Sequence, residues 1–69
     1  MEQREKFSGM IIYVYRDKSH TLIGIPDERE GEKRLRLEKI DLDIERGKTI
    51  EGEYFPKTMK VDSDTYVLR

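Results

Sequence analysis

Two tyrosines stand two residues apart in MIIYVYR, at positions 13 and 15, with Arg16 directly after them. In an extended chain alternate residues share a face, so Tyr13 and Tyr15 point one way with Ile11, and Met10, Ile12 and Val14 point the other. Flat rings side by side on a sheet accept unstacked bases without reading their sequence, and nearby cations hold the phosphates. The pair therefore has the chemistry of a single-strand stacking platform. A strand buried on both faces, or a subunit interface, would use the same residues.

A second set of groups lies in KRLRLEKIDLDIERGK, Lys33 to Lys48. Arg34 and Arg36 alternate with Leu35 and Leu37, so both guanidiniums share the outer side of a strand, with Lys33 and Lys39 beside them. If that strand flanks the tyrosines, an aromatic-plus-basic surface results. Asp41, Asp43 and Glu45 continue the same outer side and would repel phosphates. The ribbon then has a basic half and an acidic half, which suits docking on a partner protein with the complementary pattern, or internal ion pairing.

Catalytic and metal chemistry find less to work with. Alternate carboxylates on one strand sit about 7 Å apart, too far for two to chelate one ion unaided. Asp62-Ser63-Asp64 lacks the remaining ligands of a calcium loop. His20 is the single histidine and there is no cysteine, so these residues build no zinc site and no disulfide. Asp17, Ser19 and His20 contain the residue types of a nucleophile triad, but they are neighbours in a turn with no oxyanion scaffold. The five glycines are scattered and form no phosphate loop. The expectation is a non-enzymatic protein without cofactor or metal.

Composition sets the scale for the elements that must position these groups. Sixty-nine residues make one domain with a small stability margin. Charged residues are 42% of the chain, yet the net charge is only -1, which argues against bulk attraction to polyanions but leaves room for a local basic patch. A charge-rich chain with one Gln, no Asn and no Cys suits a heat-adapted source. MEQREKF has no apolar core of signal-peptide length, and no apolar run is long enough to span a membrane, so a cytoplasmic protein is expected.

Residues 1–6 read as a frayed tail and residues 7–69 as a single small β domain. Ser8 to Arg16 is rich in strand formers, DKSH is a turn, and Thr21 to Pro26 pairs back as a hairpin that Pro26 ends. Asp27 to Lys33 is a polar loop. Leu35 and Leu37 share one parity, and Ile40, Leu42 and Ile44 the other. A bulge at Glu38-Lys39 would put all five on one face of a long strand, and so would two short strands joined there at a sharp bend. Glu45 to Lys48 turns at Gly47, and Thr49 to Phe55, Lys57 to Val61 and Thr65 to Arg69 follow as strands separated by Pro56 and by Asp62 to Asp64. Of Tyr54 and Phe55, one ring must point outward; beside Pro56 it could anchor a peptide or nucleotide, but closing one end of the domain is the favoured reading. The outline is all-β: a small five- to six-stranded antiparallel barrel or strongly bent sheet, SH3-like or OB-like.

Two functions follow as expectations. The first is a binding module for single-stranded nucleic acid or a ribonucleoprotein, acting through Tyr13, Tyr15, Arg16, Arg34 and Arg36. The second is a protein-interaction or regulatory module, in the form of a homodimer or with a partner protein, using the bipolar strand face.

Overall fold

The computed structural model describes residues 3–69, which form seven strands and, among the described residues, no helix. In chain order these are β1 (Glu5–Met10), β2 (Tyr13–Arg16), β3 (Thr21–Asp27), β4 (Gly31–Leu37), β5 (Thr49–Phe55), β6 (Lys60–Val61) and β7 (Val67–Leu68). They make one sheet in the order β1-β5-β6-β4-β3-β2, with β7 also on β5. Among the described residues every pairing is antiparallel except a single parallel bridge, Arg36 with Lys60. No ladder joins β1 to β2, so the all-β expectation holds in its open form and not as a closed barrel.

Glu5 and Lys6, the last two residues of the expected tail 1–6, belong to a strand. Residues 1 and 2 lie outside the described residues, but β1 already begins at Glu5, which pairs with Tyr54. The expected first strand, Ser8 to Arg16, is two strands. β1 pairs with β5 and β2 pairs with β3, so one stretch of chain serves both ends of the sheet. Ile11 and Ile12 make the transfer. Ile11 N–H donates to Lys48 O (2.8 Å) and its carbonyl accepts from Gly47 N–H (2.8 Å), while Ile12 N–H donates to Gly24 O (2.9 Å). The transfer also changes which parity faces the core. Phe7 and Ile11 are buried before it, and Val14 packs on the core after it.

β3 runs through Pro26 to Asp27 instead of ending at the proline. The β2 ladder stops at Tyr13 and Gly24, so the last residues of β3 have an uncovered edge, where a residue without an N–H is tolerated. The β3–β4 turn is short: Asp27 pairs with Gly31, whose φ of 83° is the left-handed conformation that glycine adopts at no steric cost.

The long bulged strand does not form. β4 stops at Leu37, and residues 38–48 are successive turns. The Asp41 carboxylate accepts from Asp43 N–H (2.9 Å) and its carbonyl from Ile44 N–H (3.3 Å), so the aspartate offers the backbone a turn in place of a ladder. Ile44 is drawn into the core, fully buried, whereas Ile40 and Leu42 remain 40% and 73% exposed.

The core joins inward residues of all the long strands. Ile23 and Ile25 of β3 meet Leu35 and Leu37 of β4, and Phe7, Ile50 and Tyr54 cover them from β1 and β5. At one end, Tyr54 is buried edge-on to Phe7, and its hydroxyl donates to Glu5 Oε2 (2.9 Å) and accepts from Lys33 Nζ (3.0 Å). Phe55 is the half-buried ring on the opposite side. After β5 the chain turns at Met59, held at a φ of 59°, and the Met59 carbonyl accepts from Arg36 N–H (2.9 Å). That bond sets β6 beside β4.

Candidate functional site

Residues paired across a sheet point to the same side, so register decides which side chains form one face. Tyr15 pairs with Leu22, Leu22 with Arg36, Arg36 with Lys60, and Lys60 with Phe55. This row crosses five strands on the outer side of the sheet. The next row is Tyr13, Gly24 and Arg34. Four of the five residues singled out in the sequence, Tyr13, Tyr15, Arg34 and Arg36, therefore share one outer face.

The two tyrosines are held differently. Tyr15 is 62% exposed, with its neighbour Leu22 also at the surface. Tyr13 is half-buried across Gly24: a Cβ at position 24 would sit 2.2 Å from Tyr13 Cε2, so only glycine leaves room for the ring. Burial, with Glu32 beside the hydroxyl as the next cause, raises the Tyr13 pKa above its ordinary value.

Arg16 does not belong to this face. It follows Val14 on the inner side of β2, and its guanidinium donates to the carbonyls of Asp41 (3.2 Å) and Ile44 (2.5 Å). Arg16 ties the 38–48 segment to the sheet. The acidic half of the expected bipolar ribbon is absent as well, because Asp41, Asp43 and Glu45 lie in turns and not on β4. Asp41 accepts a hydrogen bond from Tyr66 Oη, which is the main reason its pKa lies below the ordinary carboxylate value. Lys33 is turned to the inner side, towards Tyr54, and Lys39 stands over the Tyr66 ring, 5.2 Å from its centre.

Charges on the face are paired. Arg34 Nε lies 3.6 Å from Glu32 Oε2. Glu38 collects three partners: Lys60 Nζ at 2.9 Å and Arg36 Nη2 at 3.5 Å from Oε1, and His20 Nε2 at 3.0 Å from Oε2. The hydrogen bond from Lys60 is the largest of the effects that hold Glu38 below its ordinary pKa. With three permanent cations and two carboxylates, the face carries a small positive excess. Among the described residues no group of His, Asp and Glu is arranged to hold a metal ion, and no helix is long and apolar enough to cross a membrane.

No protein-family model, curated protein or solved structure matches this chain. The chemistry of the face must be read from its own geometry. Leu22, Phe55, Lys60, Glu38 and His20 were not assigned to it from sequence. Alternation within a segment places residues on a side of their own strand, but the contact of β4 with β6 depends on the Met59 turn, which no local pattern announces.

A groove of about 1030 Å³, bordered on one side by Glu32 and Arg34 of this face, opens between β1 and the β3–β4 hairpin. One wall carries Lys6, Phe7 and Ser8, and the other Pro26 and Asp27. It lies where β1 has lost a neighbour on the side away from β5 and β3 has lost β2.

Proposed function

We propose that this protein is a small non-catalytic module that binds single-stranded nucleic acid, alone or within a ribonucleoprotein, on the outer face of β2, β3 and β4. The observation that carries the proposal is the shared face of Tyr13, Tyr15, Arg34 and Arg36, extended by Leu22 and Lys60. Tyr15 offers an open ring for a base, and Tyr13 a ring fixed in position by Gly24. Arg34, with its side chain 77% exposed and only a 3.6 Å ion pair to Glu32, can turn to reach a phosphate. A near-neutral chain suits stacking on a single strand better than the many phosphate contacts of duplex binding. The leading chain segment, bent so that it serves both ends of the sheet, is in keeping with an OB-like or SH3-like outline.

The test is an amide-shift titration with a short single-stranded oligonucleotide at low and moderate salt. Shifts concentrated on β2, β3 and β4, weakening as salt rises, are the expected result. The same titration with Tyr15→Ala should lose affinity by roughly 1–3 kcal/mol, the contribution of one stacked base. An absence of shifts at high oligonucleotide concentration overturns the proposal.

The groove beside β1 favours a second reading, a protein-interaction module that takes an extended segment of a partner or of a second copy along an uncovered strand edge. In that case shifts would centre on Lys6 to Met10, and mass would depend on protein concentration if the partner is another copy.

A further inference from the structure

Glu38 stands in the middle of the basic part of the face, and its position is unusual for an ordinary surface ion pair. One carboxylate oxygen faces Lys60 and Arg36, and the other faces His20. The three partners come from separate places in the chain: the β2–β3 turn, β4 and β6. Ser19 Oγ lies 3.1 Å from His20 Nδ1, so the ring is oriented with Nε2 towards the carboxylate. Arg36 also keeps an Nε that is shielded from solvent and has no hydrogen-bond acceptor among the described residues. A guanidinium, an ammonium and an imidazole around one anion make a cradle for an oxyanion with more acceptor oxygens than a carboxylate has.

We infer that Lys60, Arg36 and His20 form a phosphate seat, which the Glu38 side chain fills in the free protein and yields to a backbone phosphate of the bound strand. The inference rests on the single-strand reading of this face. The seat lies in the same row as Tyr15 and Leu22, so a strand whose base stacks on Tyr15 brings its phosphate to Arg36 and Lys60. Glu38 is half-exposed and lies just beyond the end of β4, in the turn segment, so its side chain can rotate out without breaking a ladder. The carboxylate thus keeps the cations arranged when no ligand is present and competes with weak or nonspecific anions. It lowers affinity and raises selectivity for a ligand that also offers a base to the tyrosines.

Glu38→Gln tests this directly. Glutamine keeps the length and an acceptor for Lys60 but removes the charge that opposes phosphate. Anisotropy titrations of a labelled single-stranded oligonucleotide should show binding about two- to fivefold tighter than in the parent protein, the range expected from one exposed competing ion pair. The logarithmic salt dependence should steepen by about 0.7 for each phosphate newly engaged. Adding Lys60→Met to Glu38→Gln should abolish the gain, and melting curves check that each variant remains folded. Pyrophosphate alone is the second probe: it should shift the amides of His20, Arg36 and Lys60 more strongly in Glu38→Gln than in the parent.

The failures are distinguishable. If the oligonucleotide shifts β2, with Tyr13 and Tyr15, but Glu38→Gln binds no tighter, the seat is wrong and the stacking face stands. If neither protein binds the oligonucleotide while pyrophosphate selects Glu38→Gln, the seat holds for phosphate and the single-strand reading falls. If neither probe responds, both are overturned.

Discussion

The Tyr66 hydroxyl donates to the carboxylate of Asp41, and through that bond the C-terminal segment holds the turn that carries Ile44 into the core. Lys39 over the Tyr66 ring and Arg16 on the carbonyls of Asp41 and Ile44 fasten the same segment from two other directions. A stretch of eleven residues without a strand, from Glu38 to Lys48, is therefore fixed by side chains.

Removing the hydroxyl alone should show how much of that order depends on it. Tyr66→Phe is expected to lower unfolding stability by about 1.5–3 kcal/mol, the usual range for a hydrogen bond to a charged group. Amide exchange should accelerate first between residues 38 and 48, before the ladders of β3 and β4 respond. Uniform acceleration over the whole chain would contradict this account.

The same bond sets a pH dependence with two limbs. Asp41 is held below its ordinary value of 3.8, first by Tyr66 and then by Asp43 N–H, although burial opposes the shift. Its contribution is complete above pH 3.8 and is lost as pH falls through the lower folded value. Tyr66 is raised above 10.0, by burial first and by Asp41 next. Its contribution is complete below pH 10.0 and is lost as pH rises through the higher folded value. Urea midpoints measured from about pH 2.5 to about pH 11 should fall at both ends, and Tyr66→Phe should flatten both limbs. An acid limb will remain in the variant, because Asp62, held down by Asp64 N–H and then by Arg4, and Glu38, held down chiefly by Lys60, do not depend on Tyr66.

Two apolar residues of the same segment should behave in opposite ways. Ile44→Ala removes a fully buried side chain and should cost roughly 2–4 kcal/mol in chemical denaturation. Leu42→Ala, at a site 73% exposed, should stay within about 0.5 kcal/mol of the parent. Equal losses would restore the long strand in which both residues face the core.

Two glycines allow close approaches of different kinds. An alanine Cβ at position 52 would meet the Tyr66 backbone, 2.8 Å from its Cα, and Gly52→Ala must displace main chain. At position 24 the obstacle is the Tyr13 ring, which can swing away. Thermal melts should therefore show the larger loss for Gly52→Ala, about 2–3 kcal/mol or more, since overpacking that moves backbone cannot relax cheaply. Gly24→Ala should instead release Tyr13 from its place, seen as loss of the ring-current shift on residue 24 and as weaker oligonucleotide binding.

Much of the strand pattern was legible in the sequence because it is local. Thr49 to Phe55 was read with its observed bounds, and the DKSH and Gly47 turns lie where Asp and Gly residues put them. The alternation of Ile40, Leu42 and Ile44 misled because aspartates at every second place support turns as readily as they support a solvated strand face. The break at Ile11 and Ile12 was hidden for a different reason. Both residues favour strands, and what divides them is a change of partner from β5 to β3, which belongs to the whole sheet. On the candidate site, the parity of Tyr13 with Tyr15 and of Arg34 with Arg36 was readable, while the partners of Arg16 and the approach of Lys60 to Glu38 arise from long-range packing.

That division of the leading segment bears on the order in which the molecule is made. β2, β3 and β4 follow one another as a meander, and each turn joins neighbours that close within microseconds once released. β1 emerges before all of them, yet its partner β5 comes more than half the chain's length later. During synthesis the first strand has a free edge on both sides until β5 arrives, and its docking carries most of the loop-closure entropy of the fold. The tyrosine-bearing strand β2 and its neighbours β3 and β4 can thus be assembled as a meander while the strand that precedes them still waits.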